Sequence, residues 1–240
     1  MRASRRLRSL LLLALLIAVP AAASTARPDP RDKTLSPTAR LEALIDRVKL
    51  EQSRLQTLEA SFVQRQESSL LVAPEESRGT FSYAAPDRVR WEYMAPTPIS
   101  VVIDGKEMTT WYHDLGRAET LEIGRYSNQV FKYLGASGSM ETLLEYFTVH
   151  VAFPERAGAP YRLELEPRYP RIAKRLRTMI LWLDAEAYLP VRLRYVAADG
   201  DVTEYRFADL KINGTIPPER FRLDLAGVET RRLAGDRDGR

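Results

Sequence analysis

His113, His150, the carboxylates Glu164 and Glu166, and the run "GASGS" ending at Ser139 are the residues of this chain whose types and spacing could do chemistry. A zinc site needs several His, Cys or carboxylate ligands at set intervals. This chain has no cysteine, and neither histidine has another at ligand spacing. His150 lies between Val149 and Val151, so strand alternation turns it to a polar face, while His113 shares a face with Trp111 near a strand end. Glu164 and Glu166 alternate with Tyr161, Leu163 and Leu165, which reads as the solvent side of a strand. "GASGS" lacks the Gly-Lys-Ser/Thr of a phosphate loop and the Gly-x-Ser-x-Gly of a nucleophile elbow. Ser139 reads instead as the N-cap of a short helix, "METLLEYF", Met140 to Phe147. No catalytic group, metal site or cofactor is expected, and a carboxylate hydrolase has nothing in its favour.

The elements that carry these residues begin with an export signal. Residues 1–23 have a basic start (Arg2, Arg5, Arg6, Arg8), a leucine-rich run from Leu10 to Val19 and an Ala21-Ala22-Ala23 end. The apolar run is too short for a spanning helix, which needs roughly 20 residues. Cleavage after Ala23 removes four arginines, so 36 basic against 32 acidic residues become 32 against 32. The basic surplus of a nucleic-acid binder is then missing. Without cysteine, the exported chain has neither disulfides nor a lipid anchor site, and it is expected to be soluble.

Residues 24–35 are polar and proline-containing and read as a flexible leader. Ser36-Pro37 marks a helix start, and Leu41, Leu44, Ile45, Val48, Leu55, Leu58 and Phe62 recur at helical steps, broken only by Gln52. An amphipathic helix is expected over 36–58. From about Ala60 the period becomes two, with Phe81 and Tyr83 on one face and Val89, Trp91 and Tyr93 on one face. Turn signals such as Asp104-Gly105, Asp199-Gly200 and Asn213-Gly214 separate about eleven strand candidates at the spacing of an antiparallel sandwich or barrel. A long irregular stretch over 124–139 interrupts the meander, placed to cover a barrel mouth with the helix after it. The fold class is mainly β (α+β): a curled antiparallel sheet with the 36–58 and 140–147 helices over its apolar face.

The pattern "LEASFVQRQ…GTFSYAAPDRVRWEYMAPTPISVVIDGKEMTTWYHD" resembles the LolA-type outer-membrane lipoprotein carrier family. The matching residues are Ala60-Ser61-Phe62 with Gln64, Gly79 and Phe81, Pro86, Trp91, Pro96, Asp104-Gly105 and Trp111-Tyr112. Later come Leu189-Pro190, Thr203 to Phe207, and Pro217-Pro218 ahead of Phe221. The likeness covers residues 38 to 229.

The resemblance implies an unclosed barrel with helices as a lid over a hydrophobic cavity. It also implies a single carrier domain over 36–229; the polar residues 230–240 after it are expected to form a disordered tail. In function it implies a periplasmic monomer that takes lipoprotein acyl chains from an inner-membrane ABC-type release complex to an outer-membrane receptor lipoprotein. The physical need is clear: at about 0.8 kcal/mol per methylene, exposing a sixteen-carbon chain to water costs on the order of 12 kcal/mol. Strand parity names the lining: Phe81, Tyr83, Val89, Trp91, Tyr93, Val101, Ile103 and Trp111, joined by Leu55, Leu58 and Phe62. Where family members carry an arginine thought to hold the lid shut, just before the proline ahead of the aromatic strand, this chain has Ala85. Arg88 and Arg90 are the cations nearest to it. The alternative reading is a periplasmic sensing or interaction domain, or a carrier of another lipid, on the same fold.

Overall fold

The computed structural model describes residues 27–123 and 140–233. The expected export signal at 1–23 and the 124–139 stretch lie outside the described residues. Residues 27–35 do not hang free as a leader would. Two turns fold them back (Asp32 N to Asp29 O, 2.9 Å), the Arg40 guanidinium donates to Pro30 O at 2.9 Å, and Pro30 is buried.

Helix α1 runs over Pro37–Arg54, with the Ser36 hydroxyl accepting from Ala39 N at 3.2 Å as its N-cap. It stops short of the expected position 58 because Asn213, at the far end of the chain's last long strand, captures the freed backbone. Asn213 Oδ1 accepts from Gln56 N at 2.7 Å and its side-chain amide donates to Arg54 O at 3.1 Å. The left-handed backbone of Asn213 (φ 56°) makes that clamp possible, a conformation asparagine tolerates better than most residues. Leu55 is therefore the extended cap residue, and Leu58 and Phe62 belong to a strand.

That strand, β1 (Thr57–Glu67), begins a meander: β2 (Glu75–Ala84), β3 (Arg88–Ala95), β4 (Ile99–Asp104), β5 (Glu107–Tyr112) and β6 (Arg117–Glu122). Helix α2 (Met140–Tyr146) leads into β7 (Phe147–Ala152) and β8 (Tyr161–Pro167). The one-turn helix α3 (Pro170–Ala173) precedes β9 (Leu176–Leu183), β10 (Pro190–Ala197), β11 (Val202–Ile212) and β12 (Glu229–Leu233). All twelve join one open sheet in the order β12-β6-β5-β4-β3-β2-β1-β11-β10-β9-β8-β7. Every pairing is antiparallel except β12 on β6. The count exceeds the expected eleven by β12, whose residues 230–233 fall in the expected tail.

The sheet is strongly curled. β3 and β11 are three strand spacings apart, about 14 Å on a flat sheet. The Trp91 ring on β3 nevertheless lies 5.5 Å from Tyr205 and 5.9 Å from Phe207 on β11. Two cores fill the hollow. One, under α1, joins Leu44 and Val48 to Tyr161, Leu163, Leu165 and Leu183. The second is the aromatic floor over β1–β4. The helices thus cover the β7–β10 half of the apolar face, with α2 adding Leu143, Leu144 and Tyr146 there.

Candidate functional site: an aromatic floor in the curled sheet

Of the eleven residues expected to line a cavity, ten come together on the concave face. Leu55, Leu58, Phe62, Phe81, Tyr83, Val89, Trp91 and Ile103 are buried in one cluster, and the half-buried Tyr93 and Val101 pack on it. Trp111 does not join them. The β4–β5 hairpin turns through the two residues Gly105 and Lys106, so Ile103 pairs with Met108 and Val101 with Thr110. Inward positions are therefore odd on β4 and even on β5. Trp111 points to the convex side, where it stacks on the His113 imidazole at 3.9 Å, and Met108 takes the inward place.

The floor depends on a residue without a side chain. Gly79 on β2 pairs with Phe62 on β1 and with Tyr93 on β3. The Phe62 ring lies over it, so a Cβ there would sit 2.7 Å from Phe62 Cζ and overlap the Glu92 carbonyl oxygen. Across this gap Phe62 reaches Trp91 at 4.9 Å and Tyr93 at 5.0 Å, both edge-on. Phe81 lies 4.8 Å from Trp91 on the other side. Sequence reading missed the contributions of β11, Tyr205, Phe207 and Leu210, and those of Met108, Leu121, Ile123 and Leu189. The alternation of Tyr205 and Phe207 was a usable signal. The inward pointing of Leu210 was not, because Asp209 adopts φ 55° at a register break between β1 and β11, with Ser61 Oγ donating to its carboxylate at 2.7 Å.

Polar atoms in the floor are few. The Tyr93 and Tyr205 hydroxyls meet at 3.4 Å, and burial, aided by the Tyr93 phenol, pushes Tyr205 far above the ordinary tyrosine range. Burial raises Tyr93 as well. The Trp91 indole N–H is buried without a hydrogen-bond partner. The floor offers rings and one free donor, with no nucleophile or general base.

The convex face behind it does hold a serine, a histidine and a carboxylate in contact. Ser100 Oγ lies 2.6 Å from Glu92 Oε1 and 2.7 Å from His113 Nε2. A serine has one proton, and the close carboxylate takes it, so His113 Nε2–H donates to the hydroxyl instead of accepting from it. A general base must do the reverse. Ser100 is also fully buried, and Glu92 is tied to Arg90 at 2.5 Å. The trio is a structural lock. Arg90 extends it by donating to the carbonyl of Arg220 at 3.0 Å, and Arg88 lies over the Phe221 ring. Both cations thus hold the 3-10 turn Pro218–Phe221 on the convex side, and neither stands in on the concave side for an arginine at Ala85, which packs against the floor.

His150 is exposed, and Glu164 is paired with Arg162 at 3.0 Å, so the other sequence candidates are solvent-face residues. Among the described residues no His/Asp/Glu cluster could hold a metal ion, and no helix is long and apolar enough to cross a membrane. Two surface cavities lie away from the floor. One of about 480 Å³ sits beside α3 and one of about 230 Å³ lies between residues 27–31 and α1.

Residues 53–224 match the family model described as "Outer membrane lipoprotein carrier protein LolA". The chain belongs to the LolA family. An outer-membrane lipoprotein carrier protein of Alkalilimnicola ehrlichii is 30% identical over 158 residues, 62% of this chain, and the match spans 64% of that relative's length. One from Pseudomonas fluorescens is 25% identical over 201 residues, 84% of this chain and 88% of the relative. In fold, the chain is similar to an uncharacterized conserved protein from Thermus thermophilus, with TM-score 0.54 at 12% identity over 80% of this chain and 99% of that one. LolA is a carrier family and not a family of enzymes. The LolA match spans β1 to the convex 3-10 turn, and so takes in every strand that builds the floor.

Proposed function

We propose that the protein is a periplasmic carrier that shields lipoprotein acyl chains on its aromatic floor while they cross from the inner to the outer membrane. In this reading an inner-membrane ABC-type release complex loads it and an outer-membrane receptor lipoprotein unloads it. The export signal, removed after Ala23, delivers a single carrier domain to that compartment. The observation that carries the reading is the continuous set of rings from β1, β2, β3 and β11, inside a curled sheet, in a chain of a lipoprotein-carrier family. The rings are in mutual contact, so in this reading an acyl chain enters as they part, and the Trp91 N–H, buried without a partner, donates to an ester or amide carbonyl of the cargo.

Native mass spectrometry of the protein purified from its own envelope tests this. The expected result is a bound lipoprotein or acyl-lipid mass, lost in Trp91→Glu. Val101→Glu, at a half-buried position less able to disturb folding, is expected to lose it too. A protein that is repeatedly empty, or loading that survives both substitutions, overturns the proposal. A stable complex with a membrane regulator, and intact lipoprotein sorting after deletion, would assign the fold to sensing instead.

A further inference from the structure

Register places the turns of this sheet at two ends, and exposed apolar side chains are not shared evenly between them. The pairs Glu67–Val202, Val196–Thr178, Leu165–Met179 and Phe147–Pro167 put the β1–β2, β10–β11 and β8–β9 connections at one end. The pairs Arg78–Ala95, Tyr93–Ile99 and Tyr112–Arg117 bring the β3–β4 and β5–β6 turns to the same end. Six large apolar side chains are exposed among the described residues, and five of them lie on this rim: Leu70, Val72, Met94, Leu115 and Tyr169. Only Ile212 lies at the other end. The β1–β2 hairpin also projects, since residues 75–77 pair with β1 and have no partner on β3. At its tip Leu70 is 91% exposed and Val72 fully so.

One segment of this rim carries charge of one sign, while Glu75, Asp114, Asp199 and Asp201 stand on its other connections. The β8–β9 connection and the first two residues of β9 read "RYPRIAKRLR", residues 168–177, with five cations and no acid in ten positions. Arg168, Arg171, Lys174, Arg175 and Arg177 are all exposed. Arg177 donates to Ala198 O at 3.3 Å, and none of the five is in an ion pair among the described residues. Of the acids close by, Glu164 is paired with Arg162, Asp199 caps its own turn at Asp201 N, and the exposed Glu166 lines one cavity with Arg177 without forming an ion pair with it. On the projecting hairpin the charges are paired, Arg65 with Glu67 and Arg78 with Glu76.

We propose that this rim seats the protein on an anionic phospholipid surface. The 168–177 segment meets the headgroups, with Tyr169 at the interface, and the Leu70–Val72 tip enters the acyl boundary. Separated apolar tips around a ring suit this occupant. A protein partner needs on the order of 800 Å² of complementary surface per side, which five scattered side chains do not supply. A bilayer accepts each apolar tip without a matching pocket, and unpaired cations near it gain from its negative potential. Aromatic side chains favour the same interfacial level. The contact is weak and reversible, as a protein that leaves the surface again requires. It stands on the rim alone and does not depend on acyl carriage.

Flotation of the purified protein with vesicles tests it, using phosphatidylcholine alone and phosphatidylcholine mixed with phosphatidylglycerol, at low and high salt. The protein is expected to float with the anionic vesicles at low salt and to be released by high salt. Arg171→Gln, Lys174→Gln and Arg175→Gln together are expected to weaken that partition on the order of a hundredfold, at roughly fivefold per cation. Leu70→Ser with Val72→Ser is expected to weaken it while leaving the salt dependence in place. All five positions are exposed, so the melting temperature should not move. Failure of the wild-type protein to float with anionic vesicles at low salt overturns the proposal. So does flotation unchanged in the triple variant, or binding to an acidic protein without binding to vesicles. The vesicles hold no lipoprotein, so failure here leaves the carrier reading standing, and an empty carrier in the native-mass experiment leaves this one standing.

Discussion

Gly79→Ala is the smallest change that should disable the floor. The added methyl would lie 2.7 Å from Phe62 Cζ and 2.8 Å from Cε1, and would overlap the Glu92 carbonyl oxygen. A carbonyl in a paired strand cannot swing aside, so the backbone must shift as the ring leaves. Overpacking of this kind costs about 1–3 kcal/mol. Displacing the ring weakens its edge-on contacts to Trp91 and Tyr93, each worth about 0.5–1.5 kcal/mol. Alanine's smaller entropy loss returns about 0.5–1 kcal/mol. The net is a destabilisation of roughly 2–4 kcal/mol, which in a domain of this size lowers Tm by about 5–15 °C. Urea melts of Gly79→Ala, Phe62→Ala and the double variant measure it. The ring's share of the clash is absent once Phe62 is alanine, so the double variant should be more stable than the sum of the two single effects, by about 1 kcal/mol or more. A Gly79→Ala protein within about 0.5 kcal/mol of wild type, or strictly additive effects, would refute the account of why glycine stands there.

Three further outcomes follow. Trp111→Ala should leave acyl loading in native mass spectra unchanged, because its indole stacks on His113 on the convex side; it should cost about 1–3 kcal/mol in a urea melt. Loss of loading in a folded Trp111→Ala protein would contradict the assigned face. Burial works to raise Glu204, but hydrogen bonds from Arg192 at 2.7 Å and Arg206 at 2.7 Å outweigh it and hold this carboxyl below the usual range. With its folded pKa below its unfolded one, its contribution is full above the unfolded value and is lost as pH falls through the folded one. Wild-type Tm should therefore fall more steeply than that of Glu204→Gln between about pH 5 and 3; parallel curves would count against the pairing. Ser100→Ala should weaken the convex lock, lowering stability by about 1–3 kcal/mol as Glu92 and His113 lose a buried partner, and should abolish no turnover.

The concave face was legible on β1 to β4 because alternation there is strict and the hydrophobic effect acts on parity alone. It failed at β5 for a countable reason. A two-residue hairpin makes paired positions sum to an odd number, so the inward set changes from odd to even across Gly105-Lys106, and Trp111 goes outward with its size and aromaticity intact. The end of α1 was illegible for a different reason. Leu55, Leu58 and Phe62 sit at spacings that suit a helix, and what stops the helix is Asn213, more than 150 positions away. Local periodicity carries no trace of such a clamp. Gly79 was visible as part of the family pattern, yet only the Phe62 ring lying over it says what the glycine is for.

A closed floor bears directly on how a carrier both holds and releases. Under the proposed function an acyl chain must part Phe62 from Trp91 and Tyr93, and Trp91 from Tyr205 and Phe207. At about 0.5–1.5 kcal/mol each beyond area burial, those four contacts oppose loading by roughly 2–6 kcal/mol. A sixteen-carbon chain gains on the order of 12 kcal/mol by leaving water, so it still binds, but less tightly than it would in a slot already open. The same contacts re-form as the chain departs, so part of what loading costs is returned on delivery. Preorganising the floor in its open form, for instance by shrinking a ring as in Tyr205→Leu, should then tighten retention and slow transfer to a receptor. Release kinetics of a fluorescent acyl probe would show it, and faster release from Tyr205→Leu than from wild type would mean that the rings grip the chain rather than compete with it.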